Sequence, residues 1–168
     1  MTASGKTAIG KLLSEQLNIT LFESDSIIET QYHQSISEIF QRYGEANFRL
    51  SEEECIEDII AAQDNFIFSL GGGAYLSQRT RDNIQNNNIF TICLESSAQT
   101  ILERVKNDTS RPLLQTENPL ETIKDLIKQR NKYYQEADLK INTDSGNKQL
   151  ILEEIITKLQ ENNILTND

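Results

Sequence analysis

Short apolar runs alternate with amphipathic segments along most of the chain. The runs that predict β-strands are residues 20–23, 66–70, 89–94 and 139–142. Elsewhere, apolar residues recur three or four positions apart, which is the spacing of one helix face. The predicted helices are residues 6–17, 25–32, 35–43, 47–62, 77–86, 97–106, 119–135 and 148–162. Because strands alternate with helices, the pattern predicts an α/β fold with a parallel sheet.

The first residues of the chain match the end of a phosphate-binding loop. Residues 1–7 read M-T-A-S-G-K-T, which fits all but the first position of G-x-x-x-x-G-K-[ST]. In this pattern the backbone N–H groups bind phosphates, Lys6 reaches the β and γ phosphates, and Thr7 can hold Mg²⁺. The helix predicted directly afterwards places its positive dipole end beneath the loop. A coincidental Gly-Lys-Thr triplet at the start of an ordinary amphipathic helix is the alternative.

Two acidic residues, Glu23 and Asp25, follow the first predicted strand. In an open α/β sheet, the carboxyl ends of the strands border the ligand site. The two carboxylates could hold Mg²⁺-bound water or accept a proton from a substrate hydroxyl. Asp25 could instead be the N-cap of the next helix.

Three consecutive glycines, Gly71, Gly72 and Gly73, follow the second predicted strand. Glycine lets the backbone approach a ligand closely at the end of a strand. The triplet therefore predicts a binding turn, with a merely flexible turn as the alternative.

Arginines form the third group of candidates, because guanidinium groups bind carboxylates and phosphates through paired hydrogen bonds. The candidates are Arg49, Arg104, Arg111 and Arg130. Arg104 and Arg130 lie in predicted helices, where ion pairs along the helix are the common alternative. Arg111 lies in a polar segment beside Pro112, where no such pair is offered.

Composition narrows the classes of function. The chain has 168 residues, enough for one domain with a real core, and a formal net charge of −10. That charge argues against a nucleic-acid partner. No apolar stretch approaches the roughly 18 residues of a membrane span. Cys55 and Cys93 lack metal-site spacing and are expected to be reduced, as in a cytoplasmic protein.

The motifs together resemble one family, the shikimate kinases. They are Gly5-Lys6-Thr7, Phe22-Glu23-Ser24-Asp25, Gly44-Glu45 with Phe48-Arg49, Gly71-Gly72-Gly73, Arg111-Pro112-Leu113-Leu114, and Arg130 with Tyr134. Their order and intervals are similar to those of the family from residue 1 to residue 160. The phosphate loop is common to many kinases, whereas the ordered set is far more specific.

The resemblance implies a three-layer P-loop kinase fold of the nucleoside-monophosphate-kinase type. The family's parallel sheet has the strand order 2-3-1-4-5. The chain would be a single domain over residues 1–168, with a shikimate-binding region at 25–62 and a mobile lid at 107–118. Such enzymes use MgATP to phosphorylate the 3-hydroxyl of shikimate on the chorismate pathway to aromatic amino acids. The resemblance also implies a monomer.

The resemblance assigns the nucleotide-binding half of the site to the loop and to two arginines. Lys6 would hold and polarise the β and γ phosphates, and Thr7 would ligate Mg²⁺. The lid residue Arg111 would close on the transferring phosphates, and Arg104 would lie against the adenine. The remaining ATP-binding residues would be Ala3, Ser4, Gly5 and Ala8.

The resemblance likewise assigns the shikimate half. Asp25 would bind the substrate hydroxyls and help to orient or deprotonate the attacking one. Arg49 and Arg130 would clamp the carboxylate, and the backbone of Gly71, Gly72 and Gly73 would contact the ring hydroxyls.

The chain departs from the family pattern at several places. Lys132 stands near Arg130 where the family often has proline, and the loop between Asp144 and Lys148, expected near the adenine, aligns poorly. Glu23 stands where the family usually has aspartate. The first glycine of the loop and the central first strand would lie before Met1, so we expect the native protein to begin about ten residues earlier. A truncated, non-catalytic binding protein and a P-loop kinase for another small hydroxy acid, such as gluconate, are the alternatives. Retention of Lys6, Asp25 and the arginines favours the active shikimate kinase.

Overall fold

A computed structural model describes residues 3–106 and 118–165 of the protein. The helices in these residues are α1 (Lys6–Leu17), α2 (Ser24–Tyr32), α3 (Ile36–Ala62), α4 (Gln78–Asn86), α5 (Ala98–Val105), α6 (Pro119–Tyr134) and α7 (Lys148–Glu161). The strands are β1 (Leu21–Glu23), β2 (Ile67–Ser69), β3 (Ile92–Glu95) and β4 (Leu139–Asn142), and a 3₁₀ turn spans Ala74–Leu76. The alternation of helices with parallel strands confirms the predicted α/β class.

The chain divides into two compact units. The first unit contains Met1–Ile9 and Phe90–Asp168, and the second unit contains Gly10–Ile89. The description as one domain over residues 1–168 stays a prediction.

The second unit is built on the parallel pair of β1 and β2, in which Phe22 lies opposite Phe68. Helix α3 starts at a capping box, because the Ser35 side chain accepts from Glu38 N–H while the Glu38 carboxylate accepts from Ser35 N–H. The core of this unit joins α2 to α3 through Ile28, Ile39, Phe48 and Cys55.

Helix α3 bends at Gly44, which has φ 80° and ψ 163°. The sequence pattern predicts two helices, 35–43 and 47–62, separated by a short loop. The structure has a single non-helical residue between two helical segments instead. Glycine accepts a positive φ at little conformational cost, so the helix resumes directly after the bend.

The first unit is built on the parallel pair of β3 and β4, in which Leu94 lies opposite Ile141. Both of these side chains are buried. Helices α5 and α6 share a second core of Ile101, Val105 and Ile123. Burial of these apolar side chains is the main stabilising contribution to such a layer.

The two strand pairs are compatible with the order 2-3-1-4-5, but that order stays a prediction. Residues 107–117 of the predicted lid lie outside the described residues. Among the described helices, none combines the length and apolar character needed to cross a membrane.

Candidate active site

Polar residues of the second unit meet at the carboxyl ends of β1 and β2. Because these strands are parallel, with Glu23 opposite Ser69, the residues that follow each strand lie at the same edge of the sheet. Ser24 is fully buried, and its hydroxyl accepts a hydrogen bond from Gly71 N–H at 2.8 Å. This contact joins the acidic turn to the glycine turn.

Arg49 lies on α3 and is held by two acidic side chains of the same helix. Its Nη1 donates to Glu52 Oε2 at 2.6 Å, and its Nη2 donates to Glu45 Oε1 at 3.2 Å. The guanidinium carbon lies 5.1 Å from the centroid of the Phe48 ring, within cation–π range. The side chain of Arg49 is 31 % exposed, whereas that of Glu52 is 2 % exposed. The protein therefore orients Arg49 while leaving part of it accessible.

The glycine turn packs closely against these charged groups. A Cβ added to Gly71 would collide with Glu52 Oε1 and would lie 2.6 Å from Asp25 Oδ1. A Cβ added to Gly73 would lie 2.6 Å from Arg49 Nη2. Close approach, and not flexibility alone, therefore explains glycine at these two positions.

The electrostatics of this cluster are dominated by burial of Glu52. Burial raises the pKa of Glu52 above its usual range, although Arg49 acts in the opposite direction. The negative charge of Asp25 adds to the increase. Burial lowers the pKa of Arg49, but Glu52 and Glu45 together raise it above its ordinary value.

One buried oxygen of this cluster is Glu52 Oε1. Among the described residues, the buried Glu52 Oε1 accepts no hydrogen bond. Leaving a buried polar group unsatisfied is costly, so such an atom is suited to a ligand hydroxyl.

Asp25 is the second residue of α2, and it is exposed. The N-cap of this helix is Glu23, whose side chain makes no capping hydrogen bond. The alternative interpretation of Asp25 as the helix cap is therefore wrong. Its carboxylate lies beside the glycine turn, because Oδ1 would be 2.6 Å from a Cβ added at Gly71.

The first unit contains the described part of the phosphate loop, residues 3–8. Ala3 and Gly5 have positive φ angles of 56° and 96°. The Gly5 carbonyl accepts from Ile9 N–H at 2.9 Å, which makes it the first acceptor of α1. Lys6 and the exposed Thr7 lie in the first helical turn, where the helix carries a partial positive charge.

Arg104 reaches this loop from the last turn of α5. Its Nη1 donates to the Ala3 carbonyl at 3.1 Å and to Ser96 Oγ at 3.0 Å. Its Nη1 also lies 3.2 Å from Thr143 Oγ1, and its Nη2 donates to the Thr143 carbonyl. These contacts extend across the first unit and not along α5, so the alternative of a simple helix pair does not describe them.

Two of the predicted site residues, Arg130 and Arg111, cannot be assigned to the cluster around Arg49 or to the phosphate loop as described. Arg130 lies on α6 in the first unit, and it is half-buried. Its role in a clamp with Arg49 stays a prediction. Arg111 lies outside the described residues.

The oxygen donors suit Mg²⁺ that arrives with a nucleotide. Within residues 3–106 and 118–165, no group of three acidic, histidine or cysteine side chains could hold a metal ion. Magnesium usually keeps few protein ligands and is bound largely by substrate phosphates and water. The exposed Thr7 hydroxyl fits such a mode.

The sequence motifs include Ser24 without giving it a role, and they do not include Glu52, Ser96 and Thr143. Glu52 has a local signal, because it lies three residues after Arg49 on one helix face. Thr143 has none, since its hydroxyl contacts the Ser4 carbonyl at a separation of 139 residues.

The fold and the loop first define a class, the α/β kinases with a phosphate-binding loop. Comparison with known proteins then gives the family: the shikimate kinase family model matches residues 2–160, and the chain belongs to the shikimate kinase family. Members of this family are ATP-dependent small-molecule kinases.

Curated relatives and solved structures agree. The chain is 36 % identical over 157 residues to a shikimate kinase of Thermodesulfovibrio yellowstonii, covering 94 % of this chain and 90 % of that protein. It is 38 % identical over 157 residues to one from Sulfurihydrogenibium sp., covering 94 % and 92 %. The structure of Acinetobacter baumannii shikimate kinase in complex with shikimate matches with a TM-score of 0.88 and 30 % identity, covering 95 % of this chain and 88 % of that one.

Proposed function

We propose that this protein transfers the γ-phosphoryl group of MgATP to the 3-hydroxyl of shikimate. The observation that carries the proposal is the cluster of Arg49, Glu52 and Asp25 against the glycine turn. The cluster offers a cation to a carboxylate, and acceptors and backbone groups to hydroxyls. A small hydroxy acid is the ligand class that uses all of them.

Arg49 would bind the substrate carboxylate through its accessible N–H groups, with Arg130 as a second donor. The hydrogen bond from Arg49 Nη1 to Glu52 Oε2, at 2.6 Å, would hold the guanidinium group in place before the substrate arrives. Such preorganisation reduces the ordering that binding requires. A planar guanidinium group is preferred because it can form two parallel bonds to one carboxylate.

Asp25 would accept hydrogen bonds from the shikimate hydroxyls and orient or deprotonate the attacking one. The backbone of Gly71, Gly72 and Gly73 would contact the ring. Glu52 Oε1, which accepts no hydrogen bond within the described part of the chain, would accept one from a further hydroxyl or from a bridging water.

The phosphate loop would bind the nucleotide through the backbone of Ala3, Ser4, Gly5 and Ala8. Phosphoryl transfer asks the protein mainly for alignment and charge stabilisation. Lys6 would lie on the β and γ phosphates. Arg111 would add a second cation and Arg104 would lie against the adenine, as the family resemblance implies.

Thr7 would hold Mg²⁺ together with the phosphates. When bound, the ion would neutralise charge that develops on the β and γ oxygens. Glu23, at the end of β1, is a candidate for a water-mediated contact.

We further propose a monomeric, cytoplasmic enzyme whose ligands are shikimate and ATP. The thiols of Cys55 and Cys93 are free, which fits a reducing compartment. The net charge of −10 does not favour binding to nucleic acid or to anionic membrane surfaces.

The test is ADP release from MgATP with shikimate, with shikimate methyl ester, and with gluconate as the rival acceptor. The methyl ester keeps every hydroxyl but removes the charge that Arg49 would bind. We expect turnover with shikimate, at least about 100-fold lower kcat/KM with the ester, and no turnover with gluconate. Shikimate binding without ADP release would favour the non-catalytic alternative, and turnover with gluconate would favour a different kinase.

A further inference from the structure

The residue after β4 contacts the phosphate loop through its side chain. Thr143 is 1 % exposed, and its Oγ1 lies 3.1 Å from the Ser4 carbonyl oxygen and 3.0 Å from that of Glu95. Ser96 Oγ lies 2.6 Å from the same hydroxyl. A buried threonine is therefore in hydrogen-bond contact with the residue just before Gly5.

The Thr143 hydroxyl has one proton, and the Ser4 carbonyl is its best acceptor. The Glu95 carbonyl already accepts the backbone N–H of Thr143 at 2.8 Å. The Ser96 hydroxyl, which accepts from Arg104 Nη1, can donate its own proton to Thr143 Oγ1, and this leaves the Thr143 proton for the Ser4 carbonyl.

Arg104 makes the matching contact one residue earlier. Its Nη1 donates to the Ala3 carbonyl at 3.1 Å. Ala3 has a φ of 56°, in the left-handed region that residues with a Cβ rarely adopt. Such a conformation persists where the surroundings hold it, and it is commonly found at ligand sites. Ala3 also packs against the core of Ile101, Val105 and Ile123.

Fixing these two carbonyls fixes the N–H groups that follow them. In a planar trans peptide, the C=O of one residue and the N–H of the next point in opposite directions. A carbonyl bound to Thr143 or Arg104 therefore turns the N–H of Gly5 or Ser4 away from these side chains.

We propose that Thr143 and Arg104 are positioning residues that aim the N–H groups of Gly5 and Ser4 at the nucleotide phosphates. This inference rests on the proposed function of the loop in ATP binding. The positioning role is additional to the adenine contact expected of Arg104. The two roles can be distinguished, because an arginine that only stacks on the base has no effect on a ligand without a base.

The experiment measures calorimetric affinity for magnesium tripolyphosphate, which has no base, and for MgADP. The main variant is Thr143→Val, which keeps the shape and removes the hydroxyl. Thr143→Ser restores the hydroxyl and tests rescue. Arg104→Met removes the contact to the Ala3 carbonyl, and Arg104 is exposed, so this variant tests the proposal without altering a buried residue. The matched control is Thr91→Val, because the Thr91 hydroxyl donates to Asp138 at 2.6 Å at the opposite end of β3.

We expect Thr143→Val and Arg104→Met to weaken both phosphate ligands by about 5-fold or more, the loss expected for one hydrogen bond. Thr143→Ser should recover most of this affinity, Thr91→Val should bind as the wild type does, and the KM for shikimate should be unchanged throughout.

The inference is overturned if both main variants bind tripolyphosphate as the wild type does, or if Arg104→Met weakens MgADP alone, which would leave only the adenine contact. If the wild type binds neither ligand, the proposed function of the loop fails as well.

Discussion

The two units hold their polar groups in orientation by different kinds of contact. In the second unit, charged side chains hold one another, since Arg49 donates to Glu52 at 2.6 Å beside Gly71 and Gly73. In the first unit, side chains hold the backbone, since Arg104 and Thr143 contact the carbonyls of Ala3 and Ser4.

This difference suits two kinds of ligand. A hydroxy acid presents a carboxylate and hydroxyl groups, which are bound by oriented side chains. A polyphosphate presents many equivalent oxygens, which a curved backbone of N–H groups can bind. Substitutions in one cluster should therefore weaken binding of one ligand and leave binding of the other unchanged.

The largest effect is expected for Arg49→Ala. Arg49 would pair with the substrate carboxylate, and removing one partner of such a hydrogen-bonded charge pair costs several kcal/mol of binding free energy. We therefore expect kcat/KM for shikimate to fall about 100-fold or more. Basal ATP hydrolysis should be unchanged. The matched control is Arg42→Ala, an exposed arginine of the same helix. Equal losses in the two variants would show that Arg49 has no special role.

Gly71→Ala should give the next largest effect. The added Cβ would collide with Glu52 Oε1 and would lie 2.6 Å from Asp25 Oδ1, so both carboxylates must move. We expect the KM for shikimate to rise by about 10-fold or more, since small misplacements of binding groups have large effects. The affinity for MgADP, measured by calorimetry on the same preparation, is the internal control. An unchanged KM would show that the turn does not contact the substrate.

Glu52→Gln should change binding and stability in opposite directions. Because the pKa of Glu52 is raised by burial, the folded protein binds its proton more tightly than the unfolded chain does. Stability therefore falls as the pH rises from the ordinary glutamate pKa of about 4.3 through the folded pKa. Glutamine does not ionise, so the variant lacks this loss.

We expect Glu52→Gln to have a Tm at pH 7 that is no lower than that of the wild type, with the difference increasing from pH 5. The KM for shikimate should rise by about 10-fold because Arg49 loses its charged partner. Thermal unfolding across this pH range and steady-state kinetics measure the two quantities. A Tm that is lower by the same amount at every pH would contradict the raised pKa.

The smallest effect is expected for Ser24→Ala. The partly buried Gly71 N–H would lose the acceptor that lies 2.8 Å away, which should lower the free energy of unfolding by about 1–3 kcal/mol. Ser26→Ala is the control, because Ser26 is exposed on the same helix. Urea unfolding of both variants measures the difference. Equal midpoints would mean that the contact does not stabilise the second unit.

The comparison also shows which features the sequence could predict. The helices and strands follow from apolar spacing, and the structure confirms each predicted segment to within a few residues. The pattern also places a break after residue 43, but it overestimates the length of the break, because Gly44 alone is non-helical.

Within the site, the predictable residues carry a local pattern. Gly5-Lys6-Thr7 and the glycine turn belong to short motifs, and Glu52 lies one helical turn after Arg49. Thr143 and Ser96 reach the loop only because β3 and β4 end at the same edge, in register Glu95 to Asn142. Contacts of this kind depend on the tertiary fold, so no spacing in the chain indicates them.

The most direct test is to measure the binding of both ligands to a variant of each unit, because the account holds that each unit orients the groups for one ligand. Calorimetry with shikimate and with MgADP would be done on the wild type, on Arg49→Ala and on Thr143→Val. We predict that Arg49→Ala loses affinity for shikimate and keeps that for MgADP, and that Thr143→Val does the reverse. Loss of both ligands in either folded variant would contradict the account.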